Sequence, residues 1–174
     1  VNLILNADKS LPKVLGNWDL LLQVLDNLVG NALKFNKPGG SLKITAYTWP
    51  NSCIMSSAKL NVLAPYCELI SPLPKLRVEI ADTGCGITTD DQQRIFERFY
   101  RVENSVHTEV GTGLGLSIVR GIIEKHGGLI RMASEPNIGT TFWFDLSLEQ
   151  ADSDELRIQA ERKSREWDQK LDVT

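Results

Sequence analysis

The chain has 174 residues, a formal net charge of -3 at pH 7 and 42% hydrophobic residues. This length is enough for one domain with a sizeable core, and the acidic balance disfavours a nucleic-acid partner, whose binding surfaces are usually basic. No apolar run approaches the roughly 20 residues that span a bilayer. Three cysteines without a CxxC pair fit a reducing compartment. We therefore expect a cytoplasmic, soluble domain, and the missing initiator methionine suggests a fragment of a longer protein.

The first half of the chain predicts short strands around one strong helix. "LILNA" and "LPKVLGN" predict two strands. Apolar residues recur at helical spacing through residues 18–35, Asn17 is a suitable N-cap, and "KPGG" ends the helix. "SLKITAYTW" and "KLRVEIADTG" predict two further strands. Between them, residues 50–74 have no clean periodicity, and we interpret them as an insertion loop at a hairpin tip.

The second half predicts two helices followed by a hairpin. Thr88 and Thr89 are capping residues at the start of "TTDDQQRIFERF", which predicts a short helix. "LGLSIVRGIIEKH" predicts a second helix with Leu114, Ile118 and Ile122 on its apolar face, and "LIRMAS" with "TTFWFDLSL" predicts the hairpin. Residues 149–174 are about half charged and predict an exposed helical tail. This order favours an α+β fold, a two-layer α/β sandwich with a mixed sheet covered on one face by helices.

The long predicted helix carries a polar stripe. Asn27, Asn31 and Lys34 are spaced i, i+4 and i+7, so they share one side of the helix. At about 100° per residue, this side lies on the shoulder of the apolar face, where a polar group is half covered. An amide oxygen there suits Mg²⁺, and a lysine beside it can neutralise a phosphate. Taken alone, the stripe is more typical of a solvated flank than of a binding site.

A second set of residues follows the strand "KLRVEIADTG". Asp82 ends the strand, and Gly84 and Gly86 come directly after it. Glycines adopt positive φ and let a ligand approach the backbone, and an aspartate at this place can accept a hydrogen bond from the exocyclic amine of adenine. The alternative is an ordinary turn, for which this composition is also common.

A third set is formed by Gly111, Gly113 and Gly115, which precede a predicted helix. The N-terminal amides of a helix attract anions, and glycines let phosphates reach them. The spacing fits neither a P-loop, since no GK[ST] follows, nor a Rossmann fingerprint. A helix cap or a hinge is the alternative. Together, the three sets predict one cavity for a magnesium nucleotide.

Four motifs in order resemble the ATP-binding domain of sensor histidine kinases. "QVLDNLVGNALKF" is similar to the N box of that family, "DTGCGI" to its G1 box, "IFERFYRV" to its F box and "GTGLGLSI" to its G2 box. The resemblance covers about residues 10–148 and implies the Bergerat fold shared with gyrase B, Hsp90 and MutL. It also implies that residues 1–148 form the catalytic domain and that residues 98–112 form a lid over ATP.

The resemblance assigns candidate roles by position. Asn31 matches the Mg²⁺ ligand, Asn27 and Lys34 match positions near the phosphates, and Asp82 matches the acceptor for the adenine amine. The lid lacks arginines after Arg101, so the contact to the γ-phosphate is open; Arg98, Arg101 and Lys34 are the candidates. The other nucleotide-binding positions implied are Gly84, Gly86, Ile87, Phe99, Gly111, Thr112, Gly113, Leu114, Gly115, Leu116 and Thr140.

The resemblance implies a protein histidine kinase of two-component signalling. Such a domain binds Mg²⁺-ATP and transfers the γ-phosphoryl group to a histidine on a separate, upstream dimerisation domain, from which a response regulator receives it. Neither His107 nor His126 lies in the helical hairpin that would carry the accepting histidine. The parent protein would then be a homodimeric sensor, anchored in the inner membrane.

The residues leave two alternatives open. One is an ATPase of the wider superfamily coupled to dimer clamping, which Asn27 disfavours because an amide cannot activate water. The other is a non-catalytic nucleotide-binding or docking module, which the unusual lid would fit. The histidine kinase hypothesis, by contrast, predicts that the isolated chain binds ATP but hydrolyses it poorly.

Overall fold

The structure is a computed structural model that describes residues 1–7, 10–49, 75–102 and 112–149. The predicted insertion at residues 50–74, most of the lid and the tail after residue 149 lie outside the described residues. In chain order, the elements within these ranges are β1 (Asn2–Ala7), α1 (Trp18–Lys34), β2 (Ser41–Trp49), β3 (Lys75–Asp82), α2 (Thr89–Gln92), α3 (Gly115–Lys125), β4 (Ile130–Glu135) and β5 (Gly139–Ser147).

The described strands form one mixed sheet in the order β1-β2-β3-β5-β4. β1 runs parallel to β2, and the other neighbouring pairs are antiparallel. Alternate side chains of the central strand β3, namely Leu76, Val78 and Ile80, are buried, as expected for a sheet with one covered face. They join residues of α1 and α3 in a common core. The predicted α+β sandwich is confirmed.

Helix α1 follows from its cap and its apolar spacing. The Asn17 side chain accepts a hydrogen bond from the Leu20 backbone amide at 3.1 Å, which satisfies one of the free amides of the first turn. Val24, Leu28 and Ala32 recur every fourth residue and are buried against the sheet and α3. Phe35 is the C-cap, and its side chain is 37% exposed rather than part of the buried face.

Helix α3 differs in its buried face from the predicted one. Val119, Ile122 and Ile123 are buried, whereas Ile118 is 36% exposed. The helix packs against α1 as well as the sheet, so its buried side is turned toward α1. At its C-terminal end, His126 accepts a hydrogen bond at Nε2 from the Asn17 backbone amide at 3.0 Å, and its Nδ1 lies 2.8 Å from the Ile122 carbonyl oxygen.

Two predicted elements are shorter than expected. "LPKVLGN" is not a strand: it forms an isolated bridge between Val14 and Leu148. The Leu15 amide donates to the Ser147 carbonyl and the Glu149 amide to the Lys13 carbonyl, each at 2.9 Å, and the extended segment then ends because α1 begins at Trp18. The helix predicted in "TTDDQQRIFERF" ends at Gln92, after which the chain continues in turns. Among the described elements, no helix has the length and apolar character needed to cross a membrane.

Candidate functional site

The structure contains a cavity of about 340 Å³ between α1, the end of β3 and the start of α3. It lies where all three predicted polar sets meet. The residues that line it are Asn27, Asn31, Ala32, Lys34, Phe35, Asp82, Cys85, Gly86, Ile87, Ile95, Tyr100, Arg101, Val102, Thr112, Gly113, Gly115, Leu116, Thr140 and Phe142.

The polar flank of α1 forms one wall. Asn27, Asn31 and Lys34 are half-buried and line the cavity, at the shoulder position predicted from their spacing. The Asn27 side-chain amide donates to the Gln23 carbonyl at 2.8 Å, so its oxygen is turned outward from α1, against the first residue of α3, Gly115. This wall therefore offers amide oxygens and one lysine to a ligand.

Asp82 provides an acceptor at the wall formed by the end of β3. Its Oδ1 accepts hydrogen bonds from the Gly84 amide at 2.8 Å and from the Thr140 amide at 3.3 Å. Its Oδ2 makes no hydrogen bond to another described residue, so it can accept one from a ligand. Burial raises the pKa of the Asp82 carboxyl above its ordinary value, while the two backbone hydrogen bonds act in the opposite direction.

The loop after Asp82 is fixed by the β4–β5 hairpin. The Ile87 amide donates to Ser134 Oγ at 2.8 Å, and Gln92 Nε2 donates both to the Ile87 carbonyl at 2.8 Å and to the Ser134 carbonyl at 3.0 Å. Gly86 has φ +67°, and a Cβ atom there would overlap the Glu135 carbonyl. Glycine is thus required at residue 86 by its backbone conformation and by packing.

The two ends of the predicted lid meet beside the cavity. The Phe99 amide donates to the Gly113 carbonyl at 3.0 Å, and both residues have positive φ, +64° and +69°. Phe99 is 72% exposed. A Cβ atom at Gly113 would lie 2.8 Å from the Phe99 carbonyl carbon. The backbone segments at Phe99 and Gly113 therefore approach each other closely at this side of the cavity.

The structure brings most of the predicted site residues to this cavity, with a few exceptions. Arg101 lines the wall, but Arg98 is exposed and does not. The positive φ of Phe99 turns the chain between these two arginines. Gly84 lies behind the wall, against the Phe35 carbonyl. Phe99 and Leu114 are also outside the lining, and Gly111 lies outside the described residues.

Several lining residues were missed by the sequence reasoning. Tyr100 is held in place because its hydroxyl donates to Asp91 Oδ1 at 2.6 Å and the Arg94 guanidinium lies 4.2 Å from its ring centre. Cys85 is half-buried, and burial raises the pKa of its thiol. Their positions inside "DTGCGI" and "RFYR" were the available signal. The apolar wall, by contrast, depends on how the elements pack.

The polar residues of the cavity fit a metal ion that binds together with the phosphates of a nucleotide better than one held by the protein alone. The described residues contain no group of three or more histidine, cysteine, aspartate or glutamate side chains that could hold a metal. Asn31 offers a single hard oxygen on the wall. Mg²⁺ commonly takes one or two protein ligands and completes its shell with water and substrate phosphates. The residues present therefore fit Mg²⁺ bound together with a nucleotide.

Comparison with known proteins connects this cavity to one family. A family model described as "Histidine kinase-, DNA gyrase B-, and HSP90-like ATPase" matches residues 16–150. Drug sensory protein A of Synechocystis is 51% identical over 144 residues, which are 83% of this chain and 20% of that protein. The histidine-protein kinase BarA of Escherichia coli is 34% identical over 151 residues, 86% of this chain and 14% of that protein. The chain thus spans a fifth or less of these two relatives.

Solved structures show the same fold. The mycobacterial sensor histidine kinase MprB has a TM-score of 0.62 and 26% identity, with 85% of each chain covered. Full-length ShkA in complex with AMPPNP has a TM-score of 0.61 and 29% identity, covering 85% of this chain and 26% of that chain.

Proposed function

The chain belongs to the histidine kinase-, DNA gyrase B- and HSP90-like ATPase family, and we propose that it is the domain that binds Mg²⁺-ATP in a sensor histidine kinase. Within the longer protein, it delivers the γ-phosphoryl group to a histidine of a separate dimerisation domain, and a response regulator receives the group next. The observation that carries this proposal is the meeting of Asp82, the polar flank of α1 and the Gly113–Gly115 turn around one cavity.

The base is assigned to the Asp82 wall. Asp82 Oδ2 accepts a hydrogen bond from the exocyclic amine of adenine, while Oδ1 stays bonded to backbone amides. A guanine base presents a carbonyl oxygen at the corresponding position, which would face the carboxylate without a hydrogen. An unpaired polar contact of this kind discriminates strongly between ligands. We therefore assign adenine nucleotides as ligands in preference to guanine nucleotides.

The phosphates are assigned to the wall formed by α1 and the turn before α3. Lys34 and Arg101 bring positive charge to the cavity, and the start of α3 directs backbone amides toward an anion. We assign the lid to residues 98–112 by their resemblance to the family; the described part of this side is held where the Phe99 amide donates to the Gly113 carbonyl. ShkA, which resembles this chain in structure, was solved with AMPPNP bound.

Phosphoryl transfer depends mainly on positioning and on neutralising charge. Asp82 fixes the base, and Lys34 with Arg101 neutralises the phosphates. Asn31 would hold Mg²⁺, which supplies further neutralisation of the phosphate oxygens when bound. Asn27 lies on the same wall, and its amide cannot accept a proton from water. We therefore expect the isolated chain to bind ATP and to hydrolyse it slowly.

Calorimetric titration with ADP and Mg²⁺ tests the binding site. We expect Asp82→Asn to weaken binding by about 1–3 kcal/mol, because an acceptor aimed at the base becomes a possible donor. Tyr47→Phe is the control, since it removes a half-buried hydrogen bond to Glu79 in the sheet without touching the cavity wall. Unchanged affinity in Asp82→Asn would refute the base assignment.

Phosphotransfer is tested by mixing the chain with labelled ATP and the dimerisation domain of its parent protein. The expected result is acid-labile label on a histidine of that domain, together with slow ATP turnover by the chain alone. Rapid steady-state turnover without the partner domain would favour an ATPase instead. Tight binding of ATP without any transfer would favour a docking module.

A further inference from the structure

We propose that Asn36 and Thr83 are positioning residues that hold the base-binding loop at a fixed place relative to α1, so that a single nucleotide reaches both walls of the cavity. This inference rests on the proposed nucleotide site and adds two residues to it. Neither residue lines the cavity. They act through their neighbours, since Thr83 follows Asp82 directly and Asn36 stands two residues after Lys34.

The two side chains are joined by a hydrogen bond between distant parts of the sequence. Thr83 Oγ1 donates to Asn36 Oδ1 at 3.2 Å and accepts from the Ser41 amide at 2.8 Å. Asn36 Nδ2 donates to the Ser41 carbonyl at 2.9 Å. The Asn36 side chain also accepts from the Lys37 amide at 3.0 Å. The base loop, the end of α1 and the start of β2 are thus tied together.

A backbone contact runs parallel to this pair. The Cys85 amide donates to the Phe35 carbonyl at 3.1 Å, so the loop meets the end of α1 at two successive places. Thr83 and Asn36 are partly buried in this contact, where hydrogen bonds are less exposed to competition by water. The contact fixes the Asp82 carboxylate with respect to the polar flank of α1.

Such a contact matters for a ligand that must bind at both walls at once. When two binding groups are held in the correct relative position, the second contact forms with little further loss of entropy. If the loop were free to shift, adenosine would still bind at Asp82. The phosphates of ADP, however, would no longer reach Lys34 while its base is bound at Asp82. The advantage of ADP over adenosine therefore measures the positioning directly.

The test compares the Kd of ADP with that of adenosine, both measured by titration of the 174-residue chain in the presence of Mg²⁺. Thr83→Val removes the hydroxyl with little change of shape, and Asn36→Ala removes the whole amide. We expect either variant to lower the ratio of the adenosine Kd to the ADP Kd by about tenfold, the effect of one well-placed hydrogen bond. Adenosine affinity itself should change far less.

Three controls separate positioning from a general loss of structure. Thr83→Ser keeps both hydrogen bonds and should restore the ratio, whereas Tyr47→Phe should leave it unchanged. The double variant should lower the ratio by less than the sum of the two single effects, because both substitutions remove the hydrogen bond between Asn36 and Thr83. If Asn36→Ala does not fold, the Kd ratio of the isosteric Thr83→Val variant alone tests the positioning role.

The possible results have distinct meanings. Equal weakening of ADP and adenosine, or an unchanged ratio in a folded Thr83→Val chain, would overturn the positioning role. Additive effects of the two substitutions would overturn the pairing. If the unaltered chain bound neither ligand, the proposed function would fail, and with it the basis of this inference.

Discussion

Asp82 is a carboxylate on which folding and binding make opposite demands. Burial raises its pKa in the folded chain above the ordinary value. A raised pKa means that the fold favours the protonated form, so the stabilisation is present at low pH and is lost as the pH rises through the folded pKa. Ionised Asp82 therefore costs stability at neutral pH. Asp82→Asn should leave the unfolding temperature of the free chain unchanged or higher, even though it weakens binding.

The same shift predicts how binding depends on pH. The carboxylate accepts from the base only when ionised, so affinity is present above the folded pKa and falls as the pH drops through it. Because the pKa is raised, the fall should begin at a higher pH than an ordinary aspartate would give. Adenosine is the suitable ligand, since it has no phosphate to titrate. A Kd that stays constant from neutral pH down to the ordinary aspartate range would contradict this.

At the scale of elements, replacing Gly86 and replacing Gly30 by alanine should change the stability of the fold in opposite directions. Gly86 has φ +67° and its added Cβ would overlap the Glu135 carbonyl, whereas Gly30 lies in α1 with nothing near an added Cβ. Gly86→Ala should unfold the chain partly or lower its stability by more than about 1 kcal/mol. Gly30→Ala should raise stability by about 0.5–1 kcal/mol, because alanine is the better helix former. Thermal unfolding of both variants checks this, and stabilisation by Gly86→Ala would contradict it.

The elements also show what the sequence can predict. The apolar spacing of α1 located its polar flank, because helical geometry fixes which residues share a side. The glycine positions at the ends of β3 and before α3 marked where backbone approaches the cavity. Tyr100 and Arg101 could not be separated from Arg98 in the same way. Their directions depend on the turn at Phe99, whose positive φ no spacing rule predicts.

The apolar wall of the cavity and the segment before α1 were even less predictable from the sequence than the direction of Arg101. The helix was expected to run to Phe35, but it ends at Lys34, and Phe35 caps α1 beside the cavity. The segment before α1 was expected to be a strand, yet it forms a single bridge, between Val14 and Leu148, before α1 begins. Such outcomes are decided by contacts between distant segments, which local patterns do not contain.

At the scale of the whole molecule, His126 connects the two helices. Its Nε2 accepts a hydrogen bond from the Asn17 amide, and its Nδ1 is hydrogen-bonded to the Ile122 carbonyl. The ring thus pairs with backbone groups at the start of α1 and near the end of α3. His126→Ala should lower stability by about 0.5–1.5 kcal/mol, because it removes the hydrogen bond that its ring accepts from the exposed Asn17 amide. Chemical denaturation measures this.

Arg120→Ala is the matched control for His126→Ala. It removes an exposed ion pair with Glu124 from the same helix and should change stability by no more than about 0.5 kcal/mol. ADP affinity should stay the same in both variants at temperatures where they are folded. Equal destabilisation by the two substitutions would show that His126 has no special role in joining the helices.

The outermost position of β1 has a consequence for handling the protein. β1 pairs with β2 on one side, and in the described sheet no strand adjoins its other side. Leu3 and Leu5 are 64% and 67% exposed. This edge strand therefore presents backbone groups that no described strand pairs with, together with apolar side chains, and such edges are prone to pair with a strand of another molecule. We expect sedimentation to reveal self-association that grows with concentration and that Leu5→Lys suppresses while nucleotide affinity is retained. Sedimentation as a monomer at all concentrations would show that this margin is harmless.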